Sequence, residues 1–336
     1  MELLTLISAA AIAFAILMYV MLDGFDLGVG ILFPFAPDDR ARSTIMNSVA
    51  PIWDGNETWL ILGGGGLLVL FPLAYSIALP AFYIPLFTML LALIFRGVSF
   101  EFRHSAHTSI HIWNRAFFGG SLVAAFMQGI LVGGVVQGVT VANDRFAGGV
   151  FDWFTPFTVL TGLGVVAAYT LLGATWLVMK TQGELADWAR RIGVAMGGAM
   201  LILLGAISVI TPAMHPEIAD RWFAGLNPLY VLPVPLLAVL LAAALFYGLL
   251  SGKERLPFFC ALGLFICAFA GFGISMYPNL LPPSVTIFNA IAPRSSVVFS
   301  LIGIAISMPM VLFYTVYAYS VFRGKVGTEG GYAHHD

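Results

Sequence analysis

Residues 3–22 read LLTLISAAAIAFAILMYVML, twenty positions without a charge, and run straight into Asp23-Gly-Phe-Asp26. In helical form about 20 apolar residues cross a hydrocarbon core of about 30 Å. The run has no period-2 alternation, which excludes a barrel strand. A backbone in lipid must satisfy its own hydrogen bonds, and that leaves the α-helix. No basic leader or small-residue cleavage site accompanies the run, so it is expected to stay as a span and not as a removed signal peptide.

The pattern recurs along the chain. Uncharged runs cover 58–95, 116–143, 153–179, 192–216, 222–252, 256–293 and 295–322. Of 336 residues, 60% are hydrophobic and only 10% charged, against roughly 25% charged in a soluble domain. The run 58–95 is too long for one span, and Pro72 and Pro80 mark a turn inside it. In 256–293 one helix ends near Tyr277, and Pro278, Pro282, Pro283 and Pro293 predict an irregular surface segment beyond it. Nine helices follow, at about 3–25, 52–72, 80–100, 116–140, 156–179, 192–213, 229–250, 256–277 and 296–322. The expected fold is an all-α polytopic membrane protein, with two four-helix bundles plus one peripheral helix. Residues 1–325 form one integral membrane domain, and 326–336 a polar, disordered tail.

Basic residues orient this set. Loops after odd-numbered helices, with the tail, hold twelve: Arg40, Arg42, Arg96, Arg103, Arg115, Lys180, Arg190, Arg191, Lys253, Arg255, Arg323 and Lys325. The other side holds three, Arg145, Arg221 and Arg294. Basic loops stay cytoplasmic, which places the N-terminus outside and the C-terminus inside. With a net charge of −2 and no polybasic stretch, nothing points to a nucleic acid.

Most of the notable small or metal-binding residue types have plain structural readings. Cys260 and Cys267 share a helix face too far apart to bond, as small core hydrophobes. The tetraglycine Gly63–Gly66 lacks the flanks of a phosphate loop and reads as close helix packing, as do Gly24 and Gly28. Histidines fall outside the spans: His104, His107 and His111 in one loop, His215 in another, and His334 and His335 in the tail. The first three stack at i, i+3 and i+7; the sharper reading is a metal or proton-collecting patch, and the plainer one a solvated helix face. Buried haem usually needs histidine ligands, so the chain is expected to hold no His-ligated haem and no metal of its own.

The carboxylates carry the chemistry. Asp23 and Asp26 close helix 1, Asp54 and Glu57 open helix 2 between Trp53 and Trp59, and helix 3 brings Arg96 and Glu101 to the same end. An ionised group inside a membrane helix costs about 2.5–3.5 kcal/mol at the centre, so the acids need partners. Arg96 is the best-placed cation, and one arginine cannot neutralise four acids. At least one acid is then expected to keep or exchange a proton, which suits a proton relay. The plain alternative makes Asp23 and Asp54 helix caps and Arg96 a structural pair.

These residues resemble subunit II of the cytochrome bd-type quinol oxidases, its cyanide-insensitive branch included. Three blocks carry the likeness: DGFDLGVG (23–30), NSVAPIWDGNETWL (47–60) and FRGVSFEFR (95–103), in family order and spacing. The resemblance spans residues 1–325. It implies a heterodimer with subunit I, which holds two haems b and one haem d, in the bacterial inner membrane beside lipids and the quinol pool. Small single-helix accessory subunits occur in such complexes. The implied reaction reduces oxygen to water with cytoplasmic protons, building a potential without pumping. The motif acids carry over to Asp54 and Asp26, the tryptophan to Trp59 and the arginine to Arg96. The third block has Glu101 where other members can have Asp. Some members bind a structural quinone in subunit II, and nothing in this sequence places one. The other classes that suit intramembrane acids are a proton-coupled transporter and a structural membrane scaffold. Helices 4 to 9 lack the midplane charges that a transporter calls for.

Overall fold

The computed structural model describes residues 1–106 and 108–326, the side chain of His104 excepted. Helix α1 (Glu2–Leu32) is followed by a 3-10 turn (Phe33–Phe35) and by α2 (Asp39–Asn47). Asp38 caps α2 by accepting the Ala41 N–H at 2.7 Å. Then come α3 (Trp53–Leu70), α4 (Pro72–Ala81), α5 (Tyr83–Ser105) and α6 (Ile110–Gln137). A hairpin, β1 (Val141–Ala142) with β2 (Arg145–Phe146), turns through Asn143 and Asp144 at φ of 51° and 57°. Both are residue types that tolerate left-handed backbone. The second part runs α7 (Pro156–Lys180), α8 (Gly183–Met214), α9 (Pro216–Phe223), α10 (Asn227–Val231), α11 (Pro233–Leu250) and α12 (Leu256–Met276). A second hairpin, β3 (Asn279–Leu281) and β4 (Val285–Thr286), leads to α13 (Arg294–Val321).

Among the described residues eight stretches are long and apolar enough to cross a membrane, or nine if the bent pair α3–α4 counts as one span. The turn expected at Pro72 is more than a turn. Helix α3 stops at Phe71, and Pro72, which has no N–H to lose, starts α4 at 118° to it. Breaking a helix frees carbonyls, and the Ala292 N–H caps that of Leu70 at 2.9 Å.

The segment after Tyr277 also departs from expectation. It is not an irregular surface stretch: β3 and β4 pair antiparallel, and Leu281, Val285, Ile287, Ala290 and Ala292 are buried against α4 and Ile12. The prolines turn the chain, while the apolar residues between them fill space beneath α4. Helix α8 begins at Gly183 and not near 192, because Glu184, Asp187, Arg190 and Arg191 continue the helix beyond its apolar part. Positions 107 and 327–336, with the His104 side chain, lie outside the described residues; these include His107, His334, His335 and most of the tail.

Helices α1 and α7 lie at the centre, with α1 against α3, α6 and α7 and α7 also against α8 and α12. Glycine makes the α1–α7 crossing. A Cβ on Gly28 would sit 1.7 Å from the Tyr169 carbonyl oxygen, and one on Gly173 2.3 Å from the Gly28 carbonyl carbon. The tetraglycine divides. Gly63 and Gly66 meet Ile16 and Ile12 of α1, whereas Gly64 and Gly65 face open space. In the second half, α7, α8, α11 and α12 close into a ring of neighbours. In the first half α1 touches α3 and α6, and α6 touches α5, but α3 and α5 approach less closely. Side chains span that gap. Helix α13 packs on α3 and α1 through a narrow seam, with Met308, Val311 and Leu312 against Ala15, Tyr19 and Trp59.

Candidate functional site

The gap between α3 and α5 is closed by Arg96. Its side chain is fully buried and its Nη1 donates to Asp23 Oδ1 at 3.0 Å and to Glu57 Oε1 at 2.6 Å. Nη2 lies 3.8 Å from Asp26 Oδ2. Three helices thus supply one ionic cluster: α1 the two aspartates, α3 the glutamate and α5 the arginine. The aspartates share a face because they are three apart on a helix. The glycines beside them seat that face by letting α1 press on α7.

An aromatic floor holds the arginine. Trp53 stacks on Phe100 with centroids 5.0 Å apart, and the guanidinium carbon lies 6.0 and 5.9 Å from the two rings. Contacts of this kind contribute about 0.5–2 kcal/mol, more when desolvated.

Charge balance gives the site its chemistry. Three carboxylates face one guanidinium, so full ionisation would leave two negative charges in excess inside an apolar bundle. A buried uncompensated charge costs several kcal/mol. Bound protons remove that cost. Asp23 Oδ2 and Asp26 Oδ1 are buried, and neither has a hydrogen-bond partner among the described residues. These atoms have free capacity to accept a proton.

Exposure falls stepwise along the acids. Asp54 is exposed on the first turn of α3. Glu57, one turn further in, keeps 23% of its side chain exposed, while Asp23 keeps 1% and Asp26 none. The sequence motif therefore lays carboxylates from surface to interior.

The sequence matches the cytochrome bd terminal oxidase subunit II family over residues 4–322. The chain belongs to that family. Cytochrome bd-I ubiquinol oxidase subunit 2 of Escherichia coli K12 is 27% identical, with 93% of this chain and 92% of that protein covered. Cytochrome bd ubiquinol oxidase subunit 2 of Bacillus subtilis is 29% identical, with 92% of each covered. A chain of the bd oxidase from Geobacillus thermodenitrificans superposes with a TM-score of 0.78 over 95% of this chain and 98% of that one. At 16% identity that likeness concerns the fold.

Within this subunit II, not every expected site residue joins the cluster. Asp23, Asp26, Glu57, Arg96 and Trp53 come together. Asp54 and Glu101 are exposed. Asp54 is neither a partner of Arg96 nor a helix cap through its side chain, and Asp23 lies inside α1, so the capping alternative does not describe them. Trp59 is fully buried in the separate apolar cluster with Ala15 and Tyr19, edge-on to Phe14 at 5.8 Å. It packs α3 on α1, and its indole N–H makes no hydrogen bond to the acids. His111 is exposed at the start of α6, and His215 lies 3.5 Å from Glu217. These imidazoles do not form a buried axial pair, and the described residues hold no group of three His, Cys, Asp or Glu arranged for a metal.

One hydrogen-bonded chain reaches the acids and a second ends beside them, both built from residues that sequence reading passed over. From α13, the Tyr319 hydroxyl donates to Asn56 Oδ1 at 3.0 Å, and Asn56 Nδ2 donates to Asp26 Oδ2 at 2.7 Å. On the other side, the Tyr169 hydroxyl donates to Gln128 Oε1 at 2.6 Å, and Gln128 Nε2 donates to the Tyr19 hydroxyl at 2.8 Å. Tyr19 stands one turn before Asp23. A lone amide inside an apolar run was the available signal for Gln128; Asn56 sat inside the motif itself.

Proposed function

We propose that this chain is the proton-handling second subunit of a bd-type quinol oxidase, taking protons from the cytoplasm at Asp54 and passing them through Glu57 to Asp23 and Asp26. The chain is a subunit of a bd-type oxidase and hence of an oxidoreductase complex with a subunit I, in a bacterial inner membrane. The observation that carries the finer reading is the graded series of acids, exposed at Asp54 and fully buried at Asp26, with one arginine to balance them. Such a series lets a proton enter from water and rest where its charge is compensated.

The haems, held by subunit I, supply the oxygen and electron chemistry. This chain's part is different: Glu57 receives a proton, Arg96 fixes the direction of the acids, and Asp23 and Asp26 hold protons away from water. Glu101, exposed on α5, adds negative charge on the helix that carries Arg96. Proton uptake from one side, without pumping, makes the reaction electrogenic. Residues 1–325 act as one membrane unit, with the N-terminus periplasmic and the C-terminus cytoplasmic. A reporter active only in the cytoplasm, fused after residue 325, should be active; a silent one reverses the orientation.

The main test is Asp54→Asn in the two-subunit complex. Asparagine keeps the shape and cannot ionise. Assembly and haem content should be unchanged, because Asp54 is exposed and outside the ionic cluster. Turnover and proton uptake during single-turnover oxygen reduction should slow, within the 10²–10⁴-fold range that a lost proton-transfer group produces, or less where water substitutes. Glu at position 54 should restore part of the rate. Unchanged uptake kinetics in a well-assembled complex would remove Asp54 from the route.

A further inference from the structure

We propose that Tyr319, on the outermost helix α13, is a positioning residue of the acid cluster, acting on Asp26 through the Asn56 amide. This inference rests on the reading of the acids as a proton site and assigns that site a residue from outside its three helices.

The argument begins with the amide. An asparagine side chain presents an acceptor at one end and donors at the other, and the two ends have nearly the same shape. Shape alone does not tell the amide which end to turn toward Asp26. Its partners do: the Leu22 carbonyl can only accept and takes Nδ2, and the Tyr319 hydroxyl supplies the donor that Oδ1 needs in that orientation. With Tyr319 donating at 3.0 Å, the Asn56 Nδ2 is left to donate to Asp26 Oδ2 at 2.7 Å and toward the Leu22 carbonyl at 3.4 Å. Donation into the amide oxygen also polarises the amide and strengthens the bond that its N–H makes.

The tyrosine ring is itself held in place. It stands edge-on to Phe25 at 6.3 Å and to Trp176 at 6.2 Å, with interplanar angles of 84° and 75°. Phe25 lies between the two aspartates on α1, and Trp176 belongs to α7. Trp176 further carries the Lys180 ammonium at 4.9 Å from its ring, and that ammonium donates to the carbonyls of Phe322 and Gly324 just past the end of α13. The lysine therefore ties down the chain one turn beyond Tyr319. Helix α13 exposes most of its surface, yet Thr315 is buried and Tyr319, four residues on, is half-buried with its hydroxyl on Asn56. An outer helix anchored at this turn and directed at this amide has more than lipid contact to provide.

The test uses Tyr319→Phe in the intact two-subunit oxidase, with Tyr317→Phe, an exposed neighbour, as the control. Phenylalanine keeps the ring between Phe25 and Trp176 and removes only the hydroxyl. The expected result is normal assembly and haem content, turnover lowered several-fold, a displaced pH profile of turnover, and a displaced carboxyl band of Asp26 in infrared difference spectra, assigned with Asp26→Asn. In an Asn56→Leu background the same change should add nothing further, since both act through one bond. A Tyr319→Phe complex with wild-type turnover, pH profile and infrared band overturns the inference, as does a loss of turnover that only follows loss of haem. Asp26→Asn separates the two layers of argument. If it slows proton uptake while Tyr319→Phe is silent, the proton-site reading stands and the positioning role falls. If it leaves turnover intact, the proton-site reading falls, and an unmoved band in Tyr319→Phe would then remove the positioning role as well.

Discussion

Helices α7, α8, α11 and α12 close their ring with backbones side by side, whereas α3 and α5 stay apart and a buried arginine bridges them to three carboxylates. Both halves are four-helix groups of similar length in the same apolar setting. The second half closes without buried acids among the described residues: Glu184 and Asp187 of α8 are exposed, and the central helix α7 carries Thr170, Thr175 and Trp176 at depth, with Lys180 at its end. Apolar packing is thus sufficient to close such a group. Buried ion pairs are often no more stable than the apolar residues that might replace them. The ionic closure of the first half therefore needs a reason other than stability, and the proposed proton handling is one.

The largest expected effect lies where the halves meet. Gly28→Leu places a Cβ 1.7 Å from a backbone oxygen of α7, which cannot move aside as a flexible side chain does. Overpacking typically costs about 1–3 kcal/mol, more where backbone must shift. The outcome should be loss of the assembled, haem-containing complex in detergent extracts. Normal yield would mean that α1 and α7 do not meet through glycine.

Next comes the arginine. Arg96→Leu leaves Asp23, Asp26 and Glu57 without a cation and should cost about 3–5 kcal/mol, read as reduced thermal stability and haem retention. The comparison becomes sharper when all four residues are made leucine. Stability should then recover toward that of the wild type, while proton uptake remains defective. If the four-leucine variant is as unstable as Arg96→Leu, the two halves are not alternative ways of closing one architecture.

The smallest effect belongs to the amide shared by both halves. Gln128→Leu leaves the hydroxyls of Tyr19 and Tyr169 without their partner, at about 1–3 kcal/mol for a buried unpaired group. Membrane hydrogen bonds often measure nearer 0.6 kcal/mol, so a drop of a few degrees in melting temperature is expected. No change at all would make this chain of groups incidental to the joining of α1, α6 and α7.

The spans were legible because lipid imposes a simple rule: charges are excluded over about 20 residues. Asp23, Asp26, Glu57 and Arg96 were legible as a group because helical spacing and shared membrane depth bring them together before any tertiary detail is known. Other features depend on contacts that no local pattern encodes. Tyr319 and Asn56 are 263 residues apart, and a tyrosine near a helix end looks like an interfacial anchor. The tetraglycine reads as one packing motif, but helix geometry turns only Gly63 and Gly66 to α1. The prolines after Tyr277 announce turns correctly and say nothing of burial, which comes from the apolar residues between them. The start of α8 was obscured because charge marks the membrane boundary and not the end of a helix.

The hydrogen bond from Tyr319 also has a consequence for synthesis. A ribosome delivers Asp23, Asp26 and Asn56 early, and α13 last among the described spans. Until α13 inserts, the Asn56 amide oxygen lacks its donor, and the acids sit in a bundle whose outer wall is missing. Insertion of α13 and pairing of the amide oxygen are then a single late event. A chain stalled after α12 would carry every carboxylate of the cluster and still lack the finished site, so insertion of α13 is registered at the ionic cluster.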